Sequence, residues 1–194
     1  MAETPTIAIF ASGNGTNAQN LAEYSRGKES LNISAIYCNN PDAYVLERAR
    51  SLGIPSVQFG RNNFYQERWI LDDLRNRKTD WIILAGFLWL IPGYLLKEFP
   101  NRIVNIHPAL LPNFGGKGMY GSRVHEAVIA SGVKESGITI HFVNENYDEG
   151  QIIFQAKCKI EADDTPITLA NKIHGLEQAH FPEVVAKLIS MNNT

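Results

Sequence analysis

Residues 81–85, Trp-Ile-Ile-Leu-Ala, form an unbroken apolar run bounded by charged Asp80 and by Gly86. A run this short is compatible with a strand hidden on both faces, the condition met by parallel sheets covered above and below. The same signature recurs at 6–11 (Thr-Ile-Ala-Ile-Phe-Ala), 33–38, 55–59 and 102–106. Helical spacing separates these runs at 17–26, at 42–52, where Val45, Leu46, Ala49 and Leu52 share a face, and at 64–77. Such alternation predicts an α/β fold with helices on both faces of an open, twisted sheet.

The pattern changes after Asn105. Residues 108–119 are a loop rich in Pro and Gly, followed by a helix near 122–130. Residues 137–143 and 151–160 read as two strands joined by a polar turn. A long helix then spans 166–189, opened by Thr165-Pro166 as N-cap and first-turn proline. Without internal repeat, linker or low-complexity segment, the 194 residues are expected to form a single domain, 1–194.

Composition narrows the function classes. A formal net charge of −2 with no long basic run argues against a nucleic-acid partner. No window is long and apolar enough for a membrane span, and the first fifteen residues lack the basic start of a signal peptide. A cytoplasmic location with no membrane partner is therefore expected. Cys38 and Cys158 lie outside any CxxC pattern and are expected to be free thiols.

Three segments carry candidate chemistry. Ser12-Gly13-Asn14-Gly15-Thr16-Asn17 joins the first strand to the first helix, where glycine lets a backbone approach an anion and the helix start offers unpaired N–H groups. The acid that a dinucleotide fold wants after the second strand is replaced by Cys38-Asn39-Asn40, which favours a mononucleotide phosphate over NAD; a simple tight turn is the other reading. Asn105 and His107 sit at i and i+2 on one strand, so an amide donor and an imidazole project from one face. That pair suits acyl transfer, or else is a hydrogen-bonded strand end. Asp148 lies in the turn 143–150, where an acid either faces solvent or meets His107 and raises its pKa. Gly116-Lys117-Gly118 lacks the surroundings of a phosphate-binding P-loop, and no His or Cys spacing suits a metal. His174 and Glu177 are one helical turn apart.

Together, the stretches SGNGTN (12–17), LAGF (84–87), NIHPALLP (105–112) and HFVNENYDEGQII (141–153) resemble the phosphoribosylglycinamide formyltransferases, with the resemblance running from Ile7 to about Leu188. It implies a Rossmann-like sheet, mostly parallel with an antiparallel last strand, and small-molecule substrates handled by a monomer or homodimer. It implies 10-formyltetrahydrofolate as co-substrate and no metal. Residue by residue, it implies Asn105, His107 and Asp148 as the catalytic trio. Gly13, Asn14, Gly15, Thr16 and Asn17 match the ribonucleotide-phosphate loop, with His174 and Glu177 on the helix that meets glycinamide ribonucleotide. Leu88, Trp89, Leu90 and Ile91 match the folate wall, and Asn144, Glu145, Asn146 and Tyr147 the loop beneath the pterin. Many family members carry Gly-Phe-Met-Arg-Ile where this chain has Gly86-Phe87-Leu88-Trp89-Leu90. A formyltransferase for another amine, such as a sugar nucleotide, and a formyltetrahydrofolate hydrolase share the trio. A non-catalytic nucleotide-binding domain is the alternative from another class.

Overall fold

The computed structural model describes residues 4–28 and 31–192. Seven strands form one sheet in the order β3-β2-β1-β4-β5-β6-β7. The strands β1 (Thr6–Ala11), β2 (Asn32–Cys38), β3 (Ser56–Gln58), β4 (Trp81–Leu84) and β5 (Ile103–His107) pair in parallel. The sheet ends in antiparallel pairs, β6 (Glu135–Phe142) on β5 and β7 (Ile152–Lys159) on β6. The mostly parallel, Rossmann-like sheet with an antiparallel end is thus present.

The apolar runs behave as their composition demands. Every residue of β1 and β4 is buried. Their side chains alternate between two cores. Ile7, Ile9 and Ala11 pack with α1 (Thr16–Ser25), α2 (Val45–Leu52), α5 (Ser122–Ser131) and α6 (Pro166–Met191). Ala8 and Phe10 face the other way, onto α3 (Trp69–Asn76) and α4 (Gly93–Glu98). Thr165 caps α6 as expected, in a reciprocal box with Thr168: the Thr168 N–H donates to Thr165 Oγ1 at 3.2 Å and the Thr165 N–H to Thr168 Oγ1 at 2.8 Å.

The helix expected over 64–77 is broken. A π-helical turn at Asn63–Glu67 precedes α3, and Arg68 between them takes φ 60°. The amides of Asn62 and Asn63 both donate to the Glu67 carboxylate, and Asn63 Oδ1 accepts from the Gly60 N–H at 3.0 Å. Side chains that compete for local partners in this way pull the first turn out of α geometry. The segment at 42–44 is likewise a turn, with the Asp42 N–H on Asn40 Oδ1, so α2 starts three residues late.

This order places the switch point between β1 and β4: the chain winds outward from β1 to β3, then returns to the other side of β1. Ligands of open α/β sheets bind at the carboxyl ends of such strands. The loops after β1, β4 and β5 converge there.

Candidate active site

A cavity of about 740 Å³ opens at this edge. Asn105 and His107 close its floor from β5, side by side because the single residue between them, Ile106, takes the opposite face of the strand. Asp148 reaches them from the turn between β6 and β7, with its backbone at φ 58°. Its Oδ1 lies 3.4 Å from Asn105 Nδ2 and its Oδ2 lies 3.5 Å from His107 Nδ1. Two side chains of one strand therefore meet a carboxylate supplied by a distant part of the chain.

Asp148 is held from other directions too. The Gly116 N–H donates to Oδ2 at 2.9 Å, and the His141 ring stands 3.6 Å from Oδ1. A Cβ added to Gly115 would lie 2.5 Å from Leu111 Cδ2 and 3.1 Å from Asp148 Cβ, so only glycine lets this loop lie so close to the acid. Burial opposes the charged carboxylate, but the His141 and His107 rings and the Gly116 N–H outweigh it, and the Asp148 pKa falls below its ordinary value.

His107 shows the opposite balance. Burial dominates and lowers its pKa, while the Asp148 charge and the Phe114 carbonyl pull it upward. The sequence-based expectation of a raised pKa is therefore met for the carboxylate's own contribution but not for the net result. The cause is depth: the His107 side chain is only 4% exposed. Its Nε2 faces the Phe114 carbonyl at 2.8 Å, and Nδ1 faces Asp148, so each nitrogen looks at an acceptor. That arrangement favours the imidazolium whenever a further negative charge offsets the cost of burial.

His141 was not singled out in the sequence. It lies opposite Asn105 across the β5–β6 ladder, a register that only the antiparallel pairing reveals. Its Nδ1 lies 2.8 Å from the Phe142 carbonyl, and its Nε2 lies 3.1 Å from Asn105 Nδ2. Nε2 thus stands against both the Asn105 amide and the Asp148 carboxylate, and the ring links the two side chains.

Gly13, Asn14, Gly15, Thr16 and Asn17 border the far end of the same cavity. Gly15 precedes α1 at φ 79°, and the first turn of that helix carries no acid. The N–H groups at this start lack intrahelical acceptors and suit an anion. Arg48 braces the loop from α2, its Nε donating to the Asn14 carbonyl at 2.8 Å and its Nη2 to Asn14 Oδ1 at 2.7 Å. A Cβ on Gly15 would fall 2.3 Å from Val45 Cγ2 and 2.9 Å from Val45 Cα. Gly15→Ala is accordingly expected to lower stability by about 2–3 kcal/mol, through overpacking and a left-handed backbone that alanine disfavours. Urea denaturation checks this, and an unchanged midpoint would show that the loop has room to spare.

Leu88, Trp89, Leu90 and Ile91 line one wall. The Leu88 N–H donates to Ser12 Oγ at 3.0 Å and Tyr65 Oη to the Leu90 carbonyl at 2.9 Å, pinning the segment to the end of β1 and to the π-helical turn. Arg61, also missed in the sequence, borders this wall with its guanidinium 5.3 Å from the Tyr65 ring centre and 5.7 Å from that of Trp89. A cation thus sits over Trp89 itself. Asn146 and Tyr147 border the cavity near Asp148, whereas Asn144 and Glu145 do not. Asn144 instead accepts from the Asn146 N–H at 3.0 Å and shapes the turn. His174 and Glu177 border the cavity from α6, the His174 Nδ1 standing 3.0 Å from Glu177 Oε2. That contact with Glu177 raises the His174 pKa against partial burial. Among the described residues, no group of three or more His, Cys, Asp or Glu side chains converges as a metal site, and no helix is long and apolar enough to cross a membrane.

Comparison with known proteins shows the family. Residues 6–185 match the formyl transferase family. The chain is 43% identical over 188 residues to the chloroplastic phosphoribosylglycinamide formyltransferase of Arabidopsis thaliana, covering 94% of this chain and 64% of that protein. It thus spans just under two thirds of the plant relative. It is 38% identical over 193 residues to the Bacillus subtilis phosphoribosylglycinamide formyltransferase, covering 96% of both. Among solved structures, the phosphoribosylglycinamide formyltransferase of Streptococcus pneumoniae superposes with a TM-score of 0.84 at 37% identity, over 96% of this chain and 99% of that one.

Proposed function

The chain belongs to the formyl transferase family, and from that premise we propose that it transfers the formyl group of 10-formyltetrahydrofolate to the amine of glycinamide ribonucleotide. The observation that carries this reading is the Asp148 carboxylate facing both Asn105 and His107 in the cavity that ends at the Gly13–Asn17 turn. An anion seat at one end, an apolar and aromatic wall at the other and three polar side chains between them match a phosphorylated amine and a pterin that meet in the middle. Residues 1–194 act as one formyltransferase domain in this reading, since both halves of the sheet contribute walls.

The neutral amine attacks the formyl carbon, and charge collects on the formyl oxygen. Asn105 Nδ2 donates to that oxygen, and His107 Nε2 gains an anion to face. Its proton affinity rises as the charge grows, and imidazolium becomes the matched state. Donors fixed in advance favour this tetrahedral state over the planar reactant. Because the Phe114 carbonyl now holds Nε2, residues 114–116 withdraw when the formyl oxygen arrives. The same residues carry the Gly116 N–H that caps Asp148, so their movement also frees the carboxylate for water. Asp148 then assists the proton from the attacking to the leaving nitrogen, the bond from the formyl carbon to that nitrogen breaks, the carbonyl re-forms and tetrahydrofolate leaves. No covalent intermediate is required, because holding two bound reactants together removes much of the entropic barrier.

A spectrophotometric assay of tetrahydrofolate release with a panel of acceptors tests the assignment. Release that depends on glycinamide ribonucleotide supports it. Release without any amine indicates a hydrolase, release with a sugar-nucleotide amine another transferase, and ribonucleotide binding without turnover a binding module.

A further inference from the structure

Residues 114–116 lie across the reaction centre and satisfy it with their own backbone. His107 Nε2 stands 2.8 Å from the Phe114 carbonyl, and because a carbonyl only accepts, the ring proton sits on Nε2. The Gly116 N–H donates to Asp148 Oδ2 at 2.9 Å. Both contacts are shorter than the 3.5 Å between His107 Nδ1 and that same carboxylate oxygen. The imidazole and the acid thus hold the loop more closely than they hold each other.

The pairing is chemically specific. Formyl transfer to an amine yields a formamide, a group with one carbonyl that accepts and one N–H that donates. The segment presents the same pair, a peptide carbonyl to His107 and a peptide N–H to Asp148. Those are the atoms that face the formyl oxygen and the amine nitrogen in the reaction described above. Room for the backbone to retire lies next door. A second cavity, of about 360 Å³, adjoins the first, and Gly116, Tyr147 and Asp148 border both. The segment is also held under tension. Phe114 takes φ 57°, a left-handed conformation that a side chain disfavours, while its ring, half-buried against the apolar core, anchors it there.

We propose that residues 114–116 are an internal mimic of the formamide product, a strap that occupies the reaction centre of the resting enzyme until bound reactants displace it. This rests on the transfer reaction proposed above. Ligands of the reaction centre then bind only the fraction of molecules with the strap displaced, and their apparent affinity falls by that fraction.

Amide hydrogen exchange in the wild-type chain, read at Gly116 by NMR, tests the proposal. Exchange there is slow in the free enzyme and speeds up when N-formylglycinamide ribonucleotide and tetrahydrofolate are bound, while the amides of Thr16 and Asn17 slow. Exchange at Gly116 that slows or stays the same with both products bound overturns the proposal. Phe114→Ala supplies a second reading, because it removes the anchoring ring but keeps the disfavoured backbone. The dissociation constant of N-formylglycinamide ribonucleotide at saturating tetrahydrofolate falls about fivefold in F114A. Truncation of a residue that only shapes the pocket would raise it, so a rise or an unchanged value contradicts the strap. If F114A does not fold, the wild-type exchange decides alone. No transfer by the wild-type chain contradicts the reaction itself, an outcome distinct from normal turnover with Gly116 equally protected in the free and product-bound enzyme.

Discussion

Asn105→Ala is expected to lower kcat for formyl transfer by on the order of 10²-fold or more, with far smaller changes in either KM. The amide borders the cavity floor with Nδ2 between His141 Nε2 at 3.1 Å and Asp148 Oδ1 at 3.4 Å, neighbours that fix its place before any substrate arrives, and the hydrogen on the longer contact is the one that turns to the formyl oxygen. A donor aimed in advance at the place where charge develops contributes mainly to the transition state, which is why the effect falls on kcat. Alanine leaves His141 Nε2 and Asp148 Oδ1 without this partner but removes no apolar packing, because the Asn105 side chain is half-buried and borders the cavity. His107→Ala belongs to the same class, with a comparable loss. Steady-state kinetics at saturating folate measure both, and a variant that turns over at the wild-type rate removes that residue from the mechanism.

Asp148→Asn is expected to cost on the order of 10²-fold in turnover while leaving the fold intact. The substitution keeps the shape of the side chain, and asparagine tolerates the positive φ of 58° at this position. What disappears is the charge. In the wild-type site the carboxylate opposes the burial that lowers the His107 pKa. Without it the imidazolium is less stable, so the ring holds its proton only at lower pH. The sign follows: if transfer needs a protonated His107, the alkaline limb of the kcat profile moves toward lower pH in D148N. A pH–rate series on the two proteins reads the shift, and a limb that stays in place would show that Asp148 does not tune the ring.

Most of the architecture was legible from residue patterns. The runs at 6–11 and 81–85 supply the strands at 6–11 and 81–84 because no charged side chain interrupts them, and all of their residues are buried. The Asn105–His107 spacing already put two side chains on one face. What sequence could not show is convergence. Asp148 meets His107 only because β6 turns back on β5, and His141 joins them only because the antiparallel register sets it opposite Asn105. His125 and Arg61 belong to no recognisable spacing, and their place on the cavity wall follows from how α5 and the broken helix at 63–76 pack. The net pKa of His107 was likewise out of reach, since it depends on a burial depth that emerges only when the loop at 114–116 lies over the ring.

The most direct test is the rate of a single turnover in the Asn105→Ala/Asp148→Asn double variant beside each single one, with both substrates saturating. Side chains that serve one developing charge as a unit lose little more together than the worse of them loses alone. The account predicts that the double variant falls to within about tenfold of the slower single variant. Losses that multiply in full, as for two residues acting at separate places, would contradict it.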